Sequence, residues 1–304
     1  MDIHALRAFA TVAATGSFSQ AAEHLCLTQP AVSKRIAALE HQLDVRLFDR
    51  IGRKVLLTEA GETLLPRVGR ILAELEDGRR ALANLSGRVA GRLTVGTSHH
   101  IGLHRLPPVL RRFTARYPEV ELDLRFMASE AACAAVERGE LELGIVTLPP
   151  APGPTLQHTP VWEDPLQVVA GPDHPLSHTE GCTVETLAGH GAILPEAGTY
   201  TRDLLERALE PLGIRLRVGL STNYLETIKM MVSVGLGWSL LPQTMVDRSV
   251  NPLPVEGLPP LRRTLGAVRH PARTPSNAGK RLVELLMTNG DDIVPPETER
   301  ERTK

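Results

Sequence analysis

The chain has 304 residues, 42% of them hydrophobic and 23% charged, with a net charge of −1; this is the profile of a folded globular protein and excludes a collagen-like or wholly disordered chain. Only 3% of the residues are aromatic, which argues against a single-strand-binding platform of stacked bases. The length exceeds what one core comfortably supports, so two or three domains of about 100–150 residues are expected.

Charge is unevenly spread. Residues 1–90 carry 12 Lys+Arg against 10 Asp+Glu, and the remainder 22 against 25. A mildly basic N-terminal part can bind phosphates if its cations gather on one face. Cys26, Cys133 and Cys182 form no C-x-x-C pair, which fits a reducing compartment and three thiols, with a Cys133–Cys182 disulfide as the alternative. The start, "MDIHALRAFA", lacks a basic leader followed by an apolar run, and no stretch approaches the roughly 18 apolar residues of a membrane span. A cytoplasmic protein without a membrane partner is expected.

In "IHALRAFATVAATG", Ile3, Leu6, Phe9, Ala10 and Ala13 recur at the spacing of one buried helical face. Gly16 ends that helix and Ser17 is placed to cap a second, "FSQAAEHL", with Phe18, Ala21, Ala22 and Leu25 facing inward. After a tight turn of about three residues, Thr28 is placed to cap a third helix, with Pro30 early in it, where a missing N–H costs nothing. Val32, Ile36, Leu39 and Leu43 would pack inward, leaving Gln29, Ser33 and Lys34 outward with Arg35 beside them. Two short helices, a tight turn and a cationic third helix are the parts of a helix-turn-helix whose second helix reads the major groove; on spacing alone, a solvated bundle face fits equally. "VRLF" and "VLL" flank a Gly52 turn with Arg50, Arg53 and Lys54, which reads as a basic two-stranded wing giving phosphate contacts.

The run "LRAFATVAATGSFSQAAEHLCLTQPAVSKRIAALEHQLDVRLFDRIGRKVLLTEAG" strongly resembles the winged helix-turn-helix of LysR-type transcriptional regulators. The resemblance implies that Gln29, Pro30, Ser33 and Lys34 approach base edges and nearby phosphates, with Arg35 at the margin and Thr28 also among the DNA-binding residues. It places Ser17, Ser19 and Gln20 at the DNA backbone and Arg50, Arg53 and Lys54 on the wing. Thr58 can cap a long helix whose stripe, Leu64, Leu65, Val68, Ile71, Leu72, Leu75, Leu82 and Leu85, is too long to be buried within so small a domain. In the resembling family this is the linker helix that pairs two subunits, so a dimer or a tetramer is implied.

From "GRLTVGTSHH" onward, strands alternate with helices: "VELDLRFM", "SEAACAAVERGE", "LELGIVTL", then, after "PPAPGP", "GAILPE", "TYTRDLLERALEPLG", "NYLETIKMMVSVGLG" and "WSLLP". Such alternation indicates an α/β domain with a largely parallel sheet, and its order is similar to the LysR-type effector domain. The fold expected is therefore α + α/β multidomain. A winged helix-turn-helix spans 1–58 and a linker/dimerisation helix 59–90. A two-subdomain effector domain of type 2 periplasmic-binding-protein-like fold spans 91–290, with subdomain I at about 91–161 and 267–290 and subdomain II at about 162–266. The polar tail, 291–304, is expected to be disordered.

In such a fold ligands bind where strand ends meet helix N-termini, whose free N–H groups favour anions. The candidates are Thr97, Ser98 and His99; Met127, Ala128 and Ser129; Thr147; Pro195, Glu196, Gly198, Thr199 and Tyr200; and Thr222 and Asn223. A small, anionic effector is expected, although Glu196 would also suit an amine or hydroxyl, and each hydroxyl could simply be an N-cap. His100 and His104 have the spacing of a helical metal pair and His99 adjoins them, but no acidic or cysteine ligand stands nearby in the sequence, so no metal and no cofactor are expected. G-x-S-x-G, the P-loop and H-E-x-x-H are absent, so an enzyme is not expected. The resemblance implies a regulator that binds double-stranded promoter DNA, responds to its effector and acts on RNA polymerase.

Overall fold

The computed structural model describes residues 1–51, 54–151 and 153–288, with only the backbone of Arg50, Ile51 and Lys54. Arg53 and the tail 291–304, both singled out above, lie outside the described residues. Residues 1–87 form one compact unit, and a second begins at Arg88.

In the first unit, α1 (Ile3–Thr15) ends at Gly16, whose left-handed φ of 60° lets its N–H reach the Val12 carbonyl. Ser17 Oγ accepts from the Gln20 N–H and starts α2 (Phe18–His24). Leu25–Thr28 make the turn, with Cys26 at φ 53°, before α3 (Gln29–Leu43). Thr28 stands at the N-cap of α3, but its side chain makes no capping bond. Pro30 has no N–H to offer, and the Ala31 N–H already donates to the Thr28 carbonyl. The inward faces meet in one core of Leu6, Phe9, Val12, Phe18, Ala21, Val32, Ile36 and Leu39; burial of each large side chain contributes about 1.5–3 kcal/mol. Ile3, expected inside, is 38% exposed, because it begins the first turn, ahead of the positions that meet α3.

Strands β1 (Phe48–Ile51) and β2 (Lys54–Leu57) pair antiparallel, Phe48 opposite Leu57. Glu40 fixes the entry to this hairpin: its Oε1 accepts from the N–H groups of Leu47 (2.7 Å) and Phe48 (3.3 Å). Glu40→Ala leaves both donors without that acceptor at buried residues and is expected to cost about 1–3 kcal/mol, read as a lower thermal midpoint of helical circular dichroism; an unchanged midpoint would remove this role. Helix α4 (Glu59–Asn84) is capped by Thr58 Oγ1 accepting from the Gly61 N–H. A Cβ at Gly61 would run into the Leu47 carbonyl, so the start of the helix can approach Leu47 this closely only with glycine there. Val68 joins the core, whereas Leu82 and Leu85 are 72% and 83% exposed.

The second unit contains, in order, β3 (Gly91–Thr97), α5 (His99–His104), α6 (Leu106–Arg116), β4 (Val120–Phe126), α7 (Ser129–Arg138), β5 (Leu143–Thr147) and β6 (Gln157–Ala170). There follow β7 (Cys182–Thr183), α8 (Val184–Ala188), β8 (Ala192–Leu194), α9 (Tyr200–Leu209), β9 (Val218–Ser221), α10 (Leu225–Ser233), β10 (Trp238–Pro242), β11 (Asn251–Pro252), β12 (Val255–Glu256), β13 (Leu261–Arg269) and α11 (Asn277–Thr288). The main sheet runs β4-β3-β5-β13-β6-β10-β8-β9. Its two ends, β4-β3-β5 and β10-β8-β9, are parallel. Between them the long β6 and β13 pair antiparallel from Leu166/Leu261 to Gln157/Arg269 and form the two crossovers joining two subdomains. Each subdomain has its own core, one around Leu93, Ile101, Phe113, Ile145 and Trp162, the other around Leu187, Leu205, Trp238 and Leu240.

Candidate functional site

On the first unit, Ser19, Gln20, Thr28, Gln29, Pro30 and Lys34 are exposed, and Ser17, Ser33 and Arg35 half-buried. Gln29 Nε2 donates to Ser33 Oγ at 3.0 Å, so two polar side chains share the outer face of α3's first turns. Lys34 and Arg35 have no ion-pair partner among the described residues, which leaves both cations free for phosphate or base. The helix is thus apolar inward through Val32, Ile36 and Leu39 and polar outward at its N-terminal end, the arrangement that a major groove accepts. Arg50 and Lys54 lie on the paired strands.

In the second unit, subdomain I, carrying α5 and α7, faces subdomain II, carrying α9 and α10, and the expected cleft is the seam between them. Most of the hydroxyls proposed to line it are engaged by their own backbone. Thr97 is fully buried and donates to the Ile145 carbonyl at 2.8 Å. Ser98 Oγ accepts from the Ile101 N–H, and buried Ser129 Oγ accepts from the N–H of Thr147. Thr199 Oγ1 donates to the Glu196 carbonyl, and Thr222 Oγ1 accepts from the Tyr224 N–H. Glu196 and Asn223 bond to each other twice, Glu196 N–H to Asn223 Oδ1 and Asn223 Nδ2 to Glu196 Oε2, both at 3.0 Å. Pro195 is buried, Met127 and Ala128 half-buried, and Gly198 exposed with φ 81°.

Two features cross the cleft. The Tyr200 N–H, at the start of α9, donates to Glu130 Oε1 on α7 at 2.6 Å, so the chain's own carboxylate sits at this helix N-terminus. The His99 ring lies between Phe126 (centroids 5.0 Å) and Tyr224 (4.7 Å, edge-on). Glu130, Phe126 and Tyr224 are not legible as site residues in the sequence; only their places beside strand ends hint at them.

Behind the cleft, at the crossovers, Asp164 on β6 is fully buried. Its Oδ1 accepts from Arg105 Nη2 (3.0 Å) and its Oδ2 from Arg263 Nε (2.9 Å), while Arg263 Nη1 donates to Thr201 Oγ1. His100 Nε2 stands 3.9 Å from Asp164 Oδ2. Burial, and then the positive Arg263, push the imidazole down to about 3, so His100 is neutral and the contact with Asp164 is not an ion pair. Cys26 is an exposed thiol; Cys133 and Cys182 are buried free thiols. Burial drives Cys133 up to about 11 and raises Cys182 too, which makes both poor thiolates. No described helix is long and apolar enough to cross a membrane.

A family model described as "Bacterial regulatory helix-turn-helix protein, lysR family" matches residues 3–62, and one described as "LysR substrate binding domain" matches residues 86–291. An uncharacterised HTH-type transcriptional regulator from the ibpB-leuC intergenic region of Azotobacter vinelandii is 73% identical over 108 residues, 36% of this chain and 75% of that protein. A probable RuBisCO transcriptional regulator of Cyanidioschyzon merolae is 31% identical over 93% of this chain and 96% of its own. Among solved structures, a full-length OxyR point variant from Pseudomonas aeruginosa superposes with a TM-score of 0.68 at 25% identity, covering 95% of this chain and 94% of that one.

Proposed function

The chain belongs to the LysR family of transcriptional regulators, and on that premise we propose how its residues divide the work. Members of the family are DNA-binding regulators with an effector-binding domain; they are oligomeric and are not enzymes. Residues 1–58 are the DNA-binding domain, 59–90 the linker and dimerisation helix and 91–290 the effector domain. Gln29, Ser33 and Lys34 read base edges from α3, with Arg35 at the margin. Ser17, Ser19, Gln20 and the wing cations Arg50, Arg53 and Lys54 hold phosphates, which position the helix without specifying sequence. The exposed Leu82 of α4 and Leu85 at its C-cap support pairing of two subunits through that helix. A dimer, or a tetramer made of two dimers, binds a partly palindromic promoter site, and the assembly acts on RNA polymerase.

The effector is a small acid. The observation that carries this is the Glu130 carboxylate on the Tyr200 N–H across the cleft: the start of α9 already selects a carboxylate, and an effector's acid group can take its place. His99, between Phe126 and Tyr224, would face the body of the ligand. Exchange of Glu130 for an effector removes one tie between subdomains, and an effector shifts the assembly only through such differential binding.

The test is a thermal-shift screen of the full-length protein against small carboxylic acids, neutral polyols and amines, repeated in Glu130→Gln. A hydrogen bond to a charged group is worth about 1.5–3 kcal/mol, so removing the competing carboxylate is expected to tighten binding of the acid about tenfold or more. Stabilisation by amines or polyols alone, or an acid bound more weakly by Glu130→Gln, would overturn the acid reading.

A further inference from the structure

We infer that His100, His104 and Glu226 form a site for a divalent transition-metal ion, of which Zn2+ is the natural probe, at the edge of the cleft. His100 and His104 lie one turn apart on α5, with ring centroids 4.9 Å apart, and Glu226 comes from the first turn of α10 in the other subdomain. Glu226 Oε1 stands 3.0 Å from His104 Nε2. One donor atom from each of the three residues lies within 4.8 Å of the other two.

The independent observation is His100 itself. It is 4% exposed, and neither ring nitrogen has a hydrogen-bond partner among the described residues. A buried imidazole without a partner gives up the free energy that water would have supplied, and a metal ion beside His104 and Glu226 would restore it. Two imidazoles and a carboxylate are a donor set that zinc takes, at about 2.0–2.2 Å, leaving a fourth tetrahedral position for water or an oxygen of a cleft ligand. Asp164 Oδ2, 3.9 Å from His100 Nε2, is close to the place of a carboxylate that orients a ligating imidazole. Arg105 and Arg263, which hold that carboxylate, partly oppose a cation, so the affinity expected is that of an exchangeable ion. Because α5 and α10 belong to different subdomains, the ion ties them together and opposes their separation.

The experiment uses untagged full-length protein stripped with chelator and titrated with Zn2+ by calorimetry, and with Co2+ by visible absorption. The expected result is one ion per chain with tetrahedral Co2+ bands, a melting temperature raised by Zn2+, and affinity at least tenfold weaker in both His104→Ala and Glu226→Gln. These two partly exposed positions carry the test because a change at buried His100 can prevent folding. Failure of the wild type to take up one ion per chain, or unchanged affinity in the two variants, overturns the site. Neither outcome depends on whether the effector is an acid.

Discussion

Replacing Asp164 by alanine is expected to destabilise the effector domain by about 3–5 kcal/mol, the cost of leaving a buried ionic partner uncompensated. The carboxylate is fully buried and takes one hydrogen bond from each of two guanidiniums whose side chains are only 7% and 8% exposed. Without it Arg105 and Arg263 face each other as buried like charges, and Arg105 Nε already has no partner among the described residues. The position magnifies the effect: Asp164 and Arg263 are opposite each other on β6 and β13, the strands that cross between subdomains, and Arg263 passes the contact on to Thr201 in α9. Both tryptophans, Trp162 and Trp238, are buried in this domain, so urea unfolding followed by tryptophan fluorescence reports on it alone. A change below about 1 kcal/mol, within the range of an exposed ion pair, would show that the network is not what holds the crossovers.

The contrast between this network and the helix-turn-helix explains what can be read from the sequence. In α1, α2 and α3 the fold is written locally: Phe9, Val12, Val32 and Ile36 recur at helical spacing, and Ser17 caps its helix within three residues. Strand and helix alternation likewise announces the α/β domain, because each element is a short run with its own period. Asp164 gives no such signal, since its partners are 59 and 99 residues away and meet it only through sheet register. Glu226 is invisible beside His104 for the same reason, at a separation of 122 residues. Residue type alone marks Thr28 as a side-chain cap, a rule blind to Pro30 having removed one of the donors to be capped. The hydroxyls of the cleft are legible as a group, but whether each faces a ligand or its own backbone depends on rotamers that spacing does not encode.

The second large effect is expected at the DNA. Ser33→Ala combined with Lys34→Ala should lower affinity for the specific site by about thirtyfold or more, since two base contacts are lost at about 1–3 kcal/mol each. Loss of the Lys34 charge from the DNA surface should also lower the slope of log affinity against log salt by about 1. The fold should survive: Lys34 is exposed and the Ser33 hydroxyl bonds only to Gln29 among the described residues. Circular dichroism and gel-shift titration of the same preparation separate these outcomes. Full affinity in the double variant would move the reading residues elsewhere on the unit.

The most direct measurement is binding of the purified protein to the DNA immediately upstream of its own gene, by gel shift and footprinting at two salt concentrations. A discrete protected site, preferred over random fragments and weakened steeply by salt, is the result predicted for a dimeric regulator that reads bases from α3 and holds phosphates beside it. Equal binding to random DNA, or no binding at low salt, would contradict that account.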